Sequence, residues 1–267
     1  MKNYLRFFAA VILTIWGQSV LGQKETLNQF WNEYAFTHNI SENWVAELDG
    51  GLTSSGVPDD NNIFYGITQF SVRAWIHYYP GDRWKLSFFY AYYYNKNVPE
   101  LNQNKAPEYR FALQATYNLF KHRRININLR ARFEDRNIEN ELDIFEAVER
   151  FRFQGRAVYP INNAKISKNT LYAFVSDELY FKTKSEISGK EFFDRNRATI
   201  GLGYKASKDF QVEISYANEY LPRPSSDNIY NALQVNVTFE NVFYNPAKKV
   251  VRKEAAVDDG APSGGGG

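Results

Sequence analysis

Arginines recur at alternate positions in two segments of the chain, and this spacing is the clearest chemical signal in the sequence. Arg130 and Arg132 alternate with apolar residues in one segment, and Arg150, Arg152 and Arg156 share one face of another. Guanidinium groups bind carboxylates and phosphates through paired hydrogen bonds. The pattern therefore predicts either a lattice of ion pairs that fills an interior or a polar pore whose arginine wall favours anions. We favour a filled or narrow interior.

Charged residues on other segments share this alternation, and we predict that all of them face one common interior. An Arg or Lys that faces lipid near the membrane midplane costs about 2–4 kcal/mol, so a membrane-spanning sheet must turn it inward. Asp177 has the opposite parity, which means that it falls on the other set of alternate positions along its strand. It is therefore expected on the outer face, unless a bulge or the membrane edge accommodates it. The predicted inward-facing charges are Arg73, Lys85, Arg110, Arg130, Arg132, Glu134, Arg150, Arg152, Arg156, Glu178, Arg197 and Glu213. Glu47 and Glu108 are further candidate partners of these arginines.

The sequence contains no spacing that matches a known catalytic motif. Its three histidines, His38, His77 and His122, lie at or in predicted short turns, where an interfacial polar role is expected. Neither a G-x-S-x-G elbow nor an H-E-x-x-H motif occurs. We therefore predict that the protein is not an enzyme, with a histidine-independent carboxylate site as the open alternative.

Metal and cofactor sites have equally little support. Cysteine is absent, which removes disulfides, thiolate-bound zinc, iron–sulfur clusters and thiol catalysis. The acidic pairs Asp59–Asp60 and Asp258–Asp259 lack the spacing of a calcium-binding loop and are expected to be solvated. No metal and no cofactor are predicted. The formal net charge of +2 gives no reason to expect nucleic acid as a partner.

The elements that carry these charges are predicted to be β-strands, because apolar and polar residues alternate with a period of two along most of the chain. Many of the segments approach or exceed the length of about 9–11 residues that a tilted strand needs to cross a bilayer. Eleven segments are predicted as strands: 28–38, 44–52, 63–78, 84–95, 108–120, 125–134, 147–159, 171–181, 194–205, 210–220 and 230–243.

Connections between these segments are predicted to alternate between short turns and longer polar loops. Segments 39–43 and 79–83 are short, whereas 96–107 and 135–146 are long. This alternation is typical of a transmembrane antiparallel up-and-down β-barrel with short periplasmic turns and longer extracellular loops. Single-chain bacterial barrels have an even number of strands, so we expect about 12 strands, with ten as the alternative. A soluble β-sandwich is the competing fold.

Aromatic residues make up 17% of the chain, and many lie near the ends of predicted strands. Rings of Trp and Tyr are enriched at both membrane–water interfaces, because one end of the ring is apolar and the other is wet. Cross-strand packing in a soluble sheet would explain single pairs but not their presence at both strand ends. The predicted interface aromatics are Trp31, Trp44, Trp75, Tyr78, Trp84, Tyr94 and Tyr109.

The two ends of the chain differ in composition from the middle. Residues 1–22 have the order of a secretory signal peptide, with Lys2 and Arg6 followed by an apolar run and then small and polar residues. The apolar run is shorter than the roughly 20 residues of a spanning helix. We predict a cleaved signal peptide over 1–22, a barrel domain over 23–244 and a flexible Gly-rich tail over 245–267.

The sequence also resembles a family of uncharacterised outer-membrane barrels. The likeness lies in a Trp-containing first strand and polar turn (30–44), in the Arg-rich segments 129–136 and 150–156, and in the acidic segment 176–181. It covers most of residues 28–243. The family is a domain of unknown function, so the resemblance implies a barrel in the outer membrane of a Gram-negative bacterium and brings no activity or catalytic residues.

Three classes of function follow for a barrel in the cell outer membrane, where outer-membrane lipid is the first expected partner. The first is a narrow, anion-leaning polar channel, supported by the inward arginines. The second is a structural or partner-binding subunit of a complex with other envelope proteins, supported by a narrow interior and a basic tail. A lipid-modifying enzyme is third, because the histidines are predicted away from the outer rim. The sequence names no solute, partner or oligomeric state.

Overall fold

The computed structural model describes residues 24–56, 62–98, 103–120, 124–223 and 227–243. The predicted signal peptide and tail, His122 and both acidic pairs lie outside these ranges. Within them, no helix is long and apolar enough to cross a membrane. The strands are β1 (Lys24–Asn39), β2 (Trp44–Ser55), β3 (Gly66–Tyr78), β4 (Trp84–Val98), β5 (Gln103–Asn118), β6 (Asn126–Glu139), β7 (Phe145–Pro160), β8 (Thr170–Lys182), β9 (Phe193–Lys205), β10 (Phe210–Leu221) and β11 (Asp227–Phe239).

These strands form one closed barrel in which each strand pairs with its neighbours in sequence. All consecutive pairs are antiparallel, and β1 closes the barrel beside β11 as a parallel pair, from Lys24 opposite Asp227 to Phe36 opposite Phe239. A parallel seam is the geometric consequence of an odd number of alternating strands, because the first and the last then run in the same direction. The predicted all-β barrel is confirmed, with a count of eleven between the expected twelve and the alternative of ten.

Side chains alternate between the inside and the outside of the barrel, and the polarity is the reverse of that in a soluble protein. Leu113 and Ile200 are more than half exposed on the outer face, whereas Glu134 and Arg150 are fully buried inside. Apolar residues outside, polar residues inside and a sheet with no open edge are the arrangement that a lipid environment requires. The competing sandwich, which would bury its apolar face, does not describe this structure.

The barrel has two ends, which we name by their connections. The turn end carries the connections after odd-numbered strands, such as 40–43, and the loop end carries those after even-numbered strands, such as 56–65 and 183–192. The predicted alternation in length is wrong at part of the loop end, where only 99–102, 140–144 and 222–226 separate consecutive strands. The reason is that β4 to β7 and β11 extend beyond their predicted ends at this side of the barrel.

Five of the seven predicted interface aromatics lie on the outer surface toward the strand ends. At the turn end, Trp44 packs against Tyr78 with 4.6 Å between ring centroids, and Trp84 is exposed. Toward the loop end, Tyr109 is exposed and Tyr94 is partly exposed. Contact of these five rings with the membrane interface stays a prediction.

The prediction of an interface position is wrong for Trp31 and Trp75, whose side chains lie inside the barrel. The indole Nε1 of Trp31 donates to Oε1 of Gln29 (2.7 Å), and that of Trp75 donates to Oδ2 of Asp49 (2.9 Å). A buried indole N–H needs an acceptor, and the polar interior supplies one. Strand parity decided their position: Trp75, for example, points to the same side as Arg73.

Candidate functional site

The inner wall of the barrel holds all twelve charges that the sequence assigns to it. Each is buried, and Lys85 is the most exposed at 8%. Alternate residues of a strand point to the same face, so closure of the sheet gathers these side chains in one interior. We call the larger group, on β5–β10, the arginine network: Glu108, Arg110, Arg130, Arg132, Glu134, Arg136, Arg150, Arg152, Arg156, Glu178, Asp194, Arg195, Arg197, Glu213 and Glu219.

Glu134 lies at the centre of the arginine network. Its Oε2 accepts a hydrogen bond from Nε of Arg150 (2.7 Å), and its Oε1 accepts one from Nη1 of Arg152 (2.8 Å). Arg132 is a third donor to this carboxylate, at 3.3 Å. Such charge-assisted bonds are stronger than neutral ones. One carboxylate therefore holds three guanidinium groups from β6 and β7.

Glu178 on β8 extends the arginine network along the wall. Arg152 binds it with two bonds, from Nε to Oε1 (2.9 Å) and from Nη2 to Oε2 (3.0 Å). Arg130 donates from Nη2 to Oε1 (2.8 Å), and the Tyr180 hydroxyl donates to Oε2 (2.9 Å). Because Arg152 contacts both Glu134 and Glu178, it joins these two carboxylates into one network.

Two further carboxylates hold arginines toward the loop end. Glu108 accepts two hydrogen bonds from Arg136, at 2.7 and 2.9 Å, and pairs with Nη2 of Arg110 (2.7 Å). Asp194 at the start of β9 accepts from Arg195 and Arg223, each at 3.1 Å. The loop end of the network is therefore also built from carboxylates that serve more than one arginine.

Toward the turn end, one ion pair crosses two strands. Nη2 of Arg156 on β7 donates to Oε1 of Glu213 on β10 (2.7 Å), and the Tyr172 hydroxyl on β8 donates to the same oxygen (2.6 Å). Gly203 on β9 lies between Tyr172 and Glu213 in the strand pairing, and a Cβ there would overlap the tyrosine ring. The glycine makes room for this contact across β9.

The arginine network carries more positive than negative charge. It contains nine arginines against six carboxylates, hence a surplus of three positive charges when all are ionised. Charges interact more strongly in a low-dielectric interior than in water. This side of the interior is therefore electropositive.

The opposite side of the interior, on β1–β3, has the reverse balance. Arg73 forms ion pairs with both Glu33 and Asp49. Glu47 adds a third carboxylate, and its Oε2 lies 3.4 Å from Nε2 of His77. We call Glu33, Glu47, Asp49 and Arg73 the acidic cluster. Its three carboxylates outnumber its one arginine, so the two sides of the barrel differ in the sign of their net charge.

His77 lies inside the barrel, so the prediction that it is an interfacial residue is wrong. Its Nδ1 is 2.8 Å from Oγ of Ser87, and its Nε2 faces Glu47. Serine, histidine and carboxylate in this order are the groups of a hydrolase triad. A backbone oxyanion hole is not available beside Ser87 within the described strands, because β4 is paired on both sides and its N–H groups belong to those ladders.

Asp177 lies on the outer face, as its parity predicts, and is partly buried there. Its Oδ1 accepts a hydrogen bond from Nδ2 of Asn196 (2.8 Å) on the neighbouring strand. A register shift does occur in the β8–β9 pairing, but it lies between Tyr180 and Phe181, where Asp194 is the extra residue on β9, and it leaves Asp177 pointing outward. The outward carboxylate is thus matched by an amide rather than turned inward by a bulge.

The loop end of the arginine network is covered by the connection 183–192. Ile187 of this connection packs on Ile138 and Val148, which face the interior where β6 and β7 reach the loop end. The carboxylate of Glu146 accepts a hydrogen bond from the backbone N–H of Ile187 (3.3 Å). The connection therefore packs over the part of the barrel mouth that β6 and β7 form.

Several members of the two charged groups are absent from the sequence prediction. Arg136 continues the parity of Arg132, but the predicted strand ends at residue 134. Asp194 and Arg195 are adjacent and both buried at the register shift between β8 and β9, a feature that alternation cannot predict. The missed residues are Glu33, Asp49, Arg136, Asp194, Arg195 and Glu219.

A metal site is not formed by the described strands and connections, since no three His, Asp or Glu side chains among them are placed to share an ion.

The sequence matches the model of a known protein family. Residues 28–230 match the family model described as "Protein of unknown function (DUF2490)". The chain belongs to the DUF2490 family. The resemblance to an uncharacterised family of barrels, seen in the Trp-containing first strand and the Arg-rich segments, is confirmed.

Solved structures similar to this DUF2490 barrel include a secretin and a porin. One is a bacterial polysaccharide outer membrane secretin, with a TM-score of 0.48 and 11% identity over 74% of this chain and 64% of that chain. The other is a NanC porin, with a TM-score of 0.47 and 14% identity over 79% of this chain and 98% of that chain. The DUF2490 chain thus spans less than two thirds of the secretin chain's length. No curated protein matches the sequence.

Proposed function

We propose that this DUF2490 barrel is a narrow channel of the bacterial outer membrane that favours small anions. The observation that carries the proposal is the surplus of buried arginine on the inner wall of a closed barrel with an apolar outside. The apolar outside suits lipid, and closure leaves no unpaired strand edge there. An interior with surplus positive charge lowers the energy of an anion inside it and raises that of a cation.

The size of the solute is limited by the packing of the interior. Every charge of the arginine network is less than a tenth exposed, so these side chains do not line a wide aqueous pore. Barrels of about eight strands are filled by their side chains, whereas those of 16–18 strands hold a water channel. The eleven strands of this barrel lie between these two cases. The proposal therefore requires small currents and a displacement of 183–192 from the mouth.

Planar-bilayer recording with the folded, full-length protein tests the channel. In a salt gradient we expect small current steps and a reversal potential on the anion-selective side. Arg132→Gln should move the reversal potential toward cation selectivity, because it removes one surplus charge while Glu134 keeps Arg150 and Arg152 as partners. Arg83→Gln at the turn end is the matched control. The complete absence of current from inserted protein would end the proposal.

A structural or partner-binding role is the second candidate, and the closely packed interior with its covered loop end favours it. In this case the barrel would act as a subunit of an envelope complex and conduct nothing. Affinity purification from native membranes in mild detergent tests this role. Recovery of one defined envelope protein in fixed proportion supports it, and recovery of the barrel alone counts against it.

Neither candidate involves catalysis, and we propose that the protein is not an enzyme. The group nearest to a catalytic arrangement, Ser87 with His77 and Glu47, lies in the interior without a backbone oxyanion site. A strain that lacks the protein should have unchanged lipid A and phospholipid profiles. A defined change in one lipid species, reversed by the wild-type protein and not by Ser87→Ala, would contradict this.

A further inference from the structure

Three neighbouring side chains on the inner wall of β6 and β7 carry buried polar atoms that other described residues leave unsatisfied. Neither Nδ2 nor Oδ1 of Asn128 has a hydrogen-bond partner, and the Nε atoms of Arg130 and Arg156 each lack an acceptor. All three residues are more than nine-tenths buried. Buried polar groups are nearly always paired in proteins, so a cluster of this kind points to a bound molecule.

The strand pairing brings these three residues to one spot. Asn128 lies directly opposite Arg156 in the pairing of β6 with β7, and Arg130 is the next inward residue on β6. Directly opposite residues have Cβ atoms about 4.5–5.5 Å apart. Asn128 is also close to the start of β6, so this spot lies near the turn end, away from the covered mouth.

The electrostatics of this spot favour an anion. Nη2 of Arg130 is bound by Glu178 (2.8 Å) and Nη2 of Arg156 by Glu213 (2.7 Å), yet both arginines retain an unpaired Nε donor. The inward residues opposite on β5 are uncharged. Each guanidinium group is thus shared with one carboxylate and still presents an Nε–H donor on a wall whose β5 residues are uncharged, which suits an oxygen atom that carries negative charge.

We propose that Asn128, Arg130 and Arg156 bind a small oxyanion that also carries a hydroxyl group. Carboxylate or phosphate oxygens accept from the two Nε–H groups and from the Asn128 amide. Oδ1 of Asn128 only accepts, so it requires a donor, which a hydroxyl supplies. Hydrogen phosphate and hydroxycarboxylates combine both properties. The physiological meaning rests on the proposed function, since the anion would be a solute in passage, but binding itself does not depend on conduction.

Isothermal titration calorimetry on the folded full-length protein in detergent measures this binding without any current. The probes are inorganic phosphate, glycolate and acetate, of which glycolate and acetate differ by one hydroxyl group. We expect saturable binding of phosphate and glycolate, with acetate weaker by roughly 3- to 10-fold, the worth of one hydrogen bond. Absence of saturable binding for both phosphate and glycolate overturns the proposal.

Two substitutions of Asn128 make the test specific. Asn128→Asp places a carboxylate beside the two Nε donors, so we expect loss of phosphate binding together with a higher unfolding temperature. Asn128→Leu keeps the side-chain size and removes both amide atoms, so acetate and glycolate should bind equally. Asn95→Leu, which removes an interior amide bound to Gln69 (2.6 Å), is the control that leaves binding unchanged. Phosphate binding that survives Asn128→Asp contradicts the proposal.

Calorimetry and bilayer recording separate the two proposals from each other. Phosphate binding without current refutes the channel and retains the site, whereas current without phosphate or glycolate binding refutes the site and retains the channel. If Asn128→Leu raises the stability and the wild type binds no anion, the spot is a hydration site only, and the oxyanion proposal is rejected.

Discussion

The two charged regions of the interior contain the same residue types in opposite proportions. In the arginine network, Glu134 and Glu178 each accept from two or more arginines, so carboxylates are the scarce partner. In the acidic cluster, Arg73 pairs with Glu33 and Asp49, so the arginine is scarce. The cost of losing a buried charge is therefore expected to depend on how many opposite charges share it. Removal of a charge that several opposite charges share should therefore reduce the stability most.

The two charged regions also lie on different sides of the interior. The network occupies β5–β10 and the acidic cluster occupies β1–β3, so charge of opposite sign faces across the interior. A field across a low-dielectric interior separates ions by sign. In the proposed channel, an anion is expected to travel along the arginine side, where the unpaired atoms of Asn128, Arg130 and Arg156 also lie.

The largest effect is expected from Glu134→Gln. This substitution removes the charge that compensates Arg150 and Arg152 and leaves them buried with fewer partners. Breaking a buried ion pair by removal of one partner costs about 3–5 kcal/mol. Urea unfolding in detergent, followed by tryptophan fluorescence, measures the free energy. Glu141→Gln, which is exposed at the loop end, serves as the control and should stay within about 0.5 kcal/mol of wild type.

A smaller effect is expected from Asp49→Asn in the acidic cluster. Arg73 keeps Glu33 as a partner, and the cluster loses part of its surplus negative charge. The remaining cost is that of weakened hydrogen bonds to a charged group, about 1–2 kcal/mol. The same urea experiment compares the two variants directly. Equal losses for Asp49→Asn and Glu134→Gln would show that the sharing of partners does not set the cost.

The smallest effect on stability is expected from substitution of an interior tryptophan, with an outer tryptophan as the comparison. Trp75→Phe removes the indole donor to Asp49 and should reduce stability by about 1 kcal/mol. Trp44→Phe, on the outer face beside Tyr78, leaves the interior intact and should stay within about 0.5 kcal/mol of wild type in detergent. The fluorescence of Trp44 should respond to lipid-bound quenchers, whereas that of Trp75 should not. Quenching of Trp75 by lipid would contradict its interior position.

Strand parity made most of this structure predictable from sequence. The alternation in segment 125–134 and its neighbours located all eleven strands, and the same parity put Arg130 and Arg132 on the inner wall. It works because a transmembrane sheet separates lipid-facing from interior residues at every second position. The parity rule also located Asp177 correctly on the outer face.

The prediction failed where position depends on neighbouring strands rather than on a single strand. Nearness to the ends of predicted strands suggests an interface position for Trp31 and Trp75, although their parity points inward. Asp194 and Arg195 are both buried because the ladder shifts beside them. The partners in the arginine network are set by closure and strand stagger, and Arg156 reaching Glu213 across two strands is an example that no single segment encodes.

The parallel seam between β1 and β11 has a consequence for the two ends of the barrel chain. Lys24 starts β1 at the loop end, whereas β11 finishes at the turn end, near Asn39. A label fused ahead of Lys24 and one fused behind Phe243 would therefore be accessible from opposite faces of a membrane. For the same reason a short linker cannot join these ends, so circular permutation, which is simple in an even-stranded barrel, would require an additional crossing.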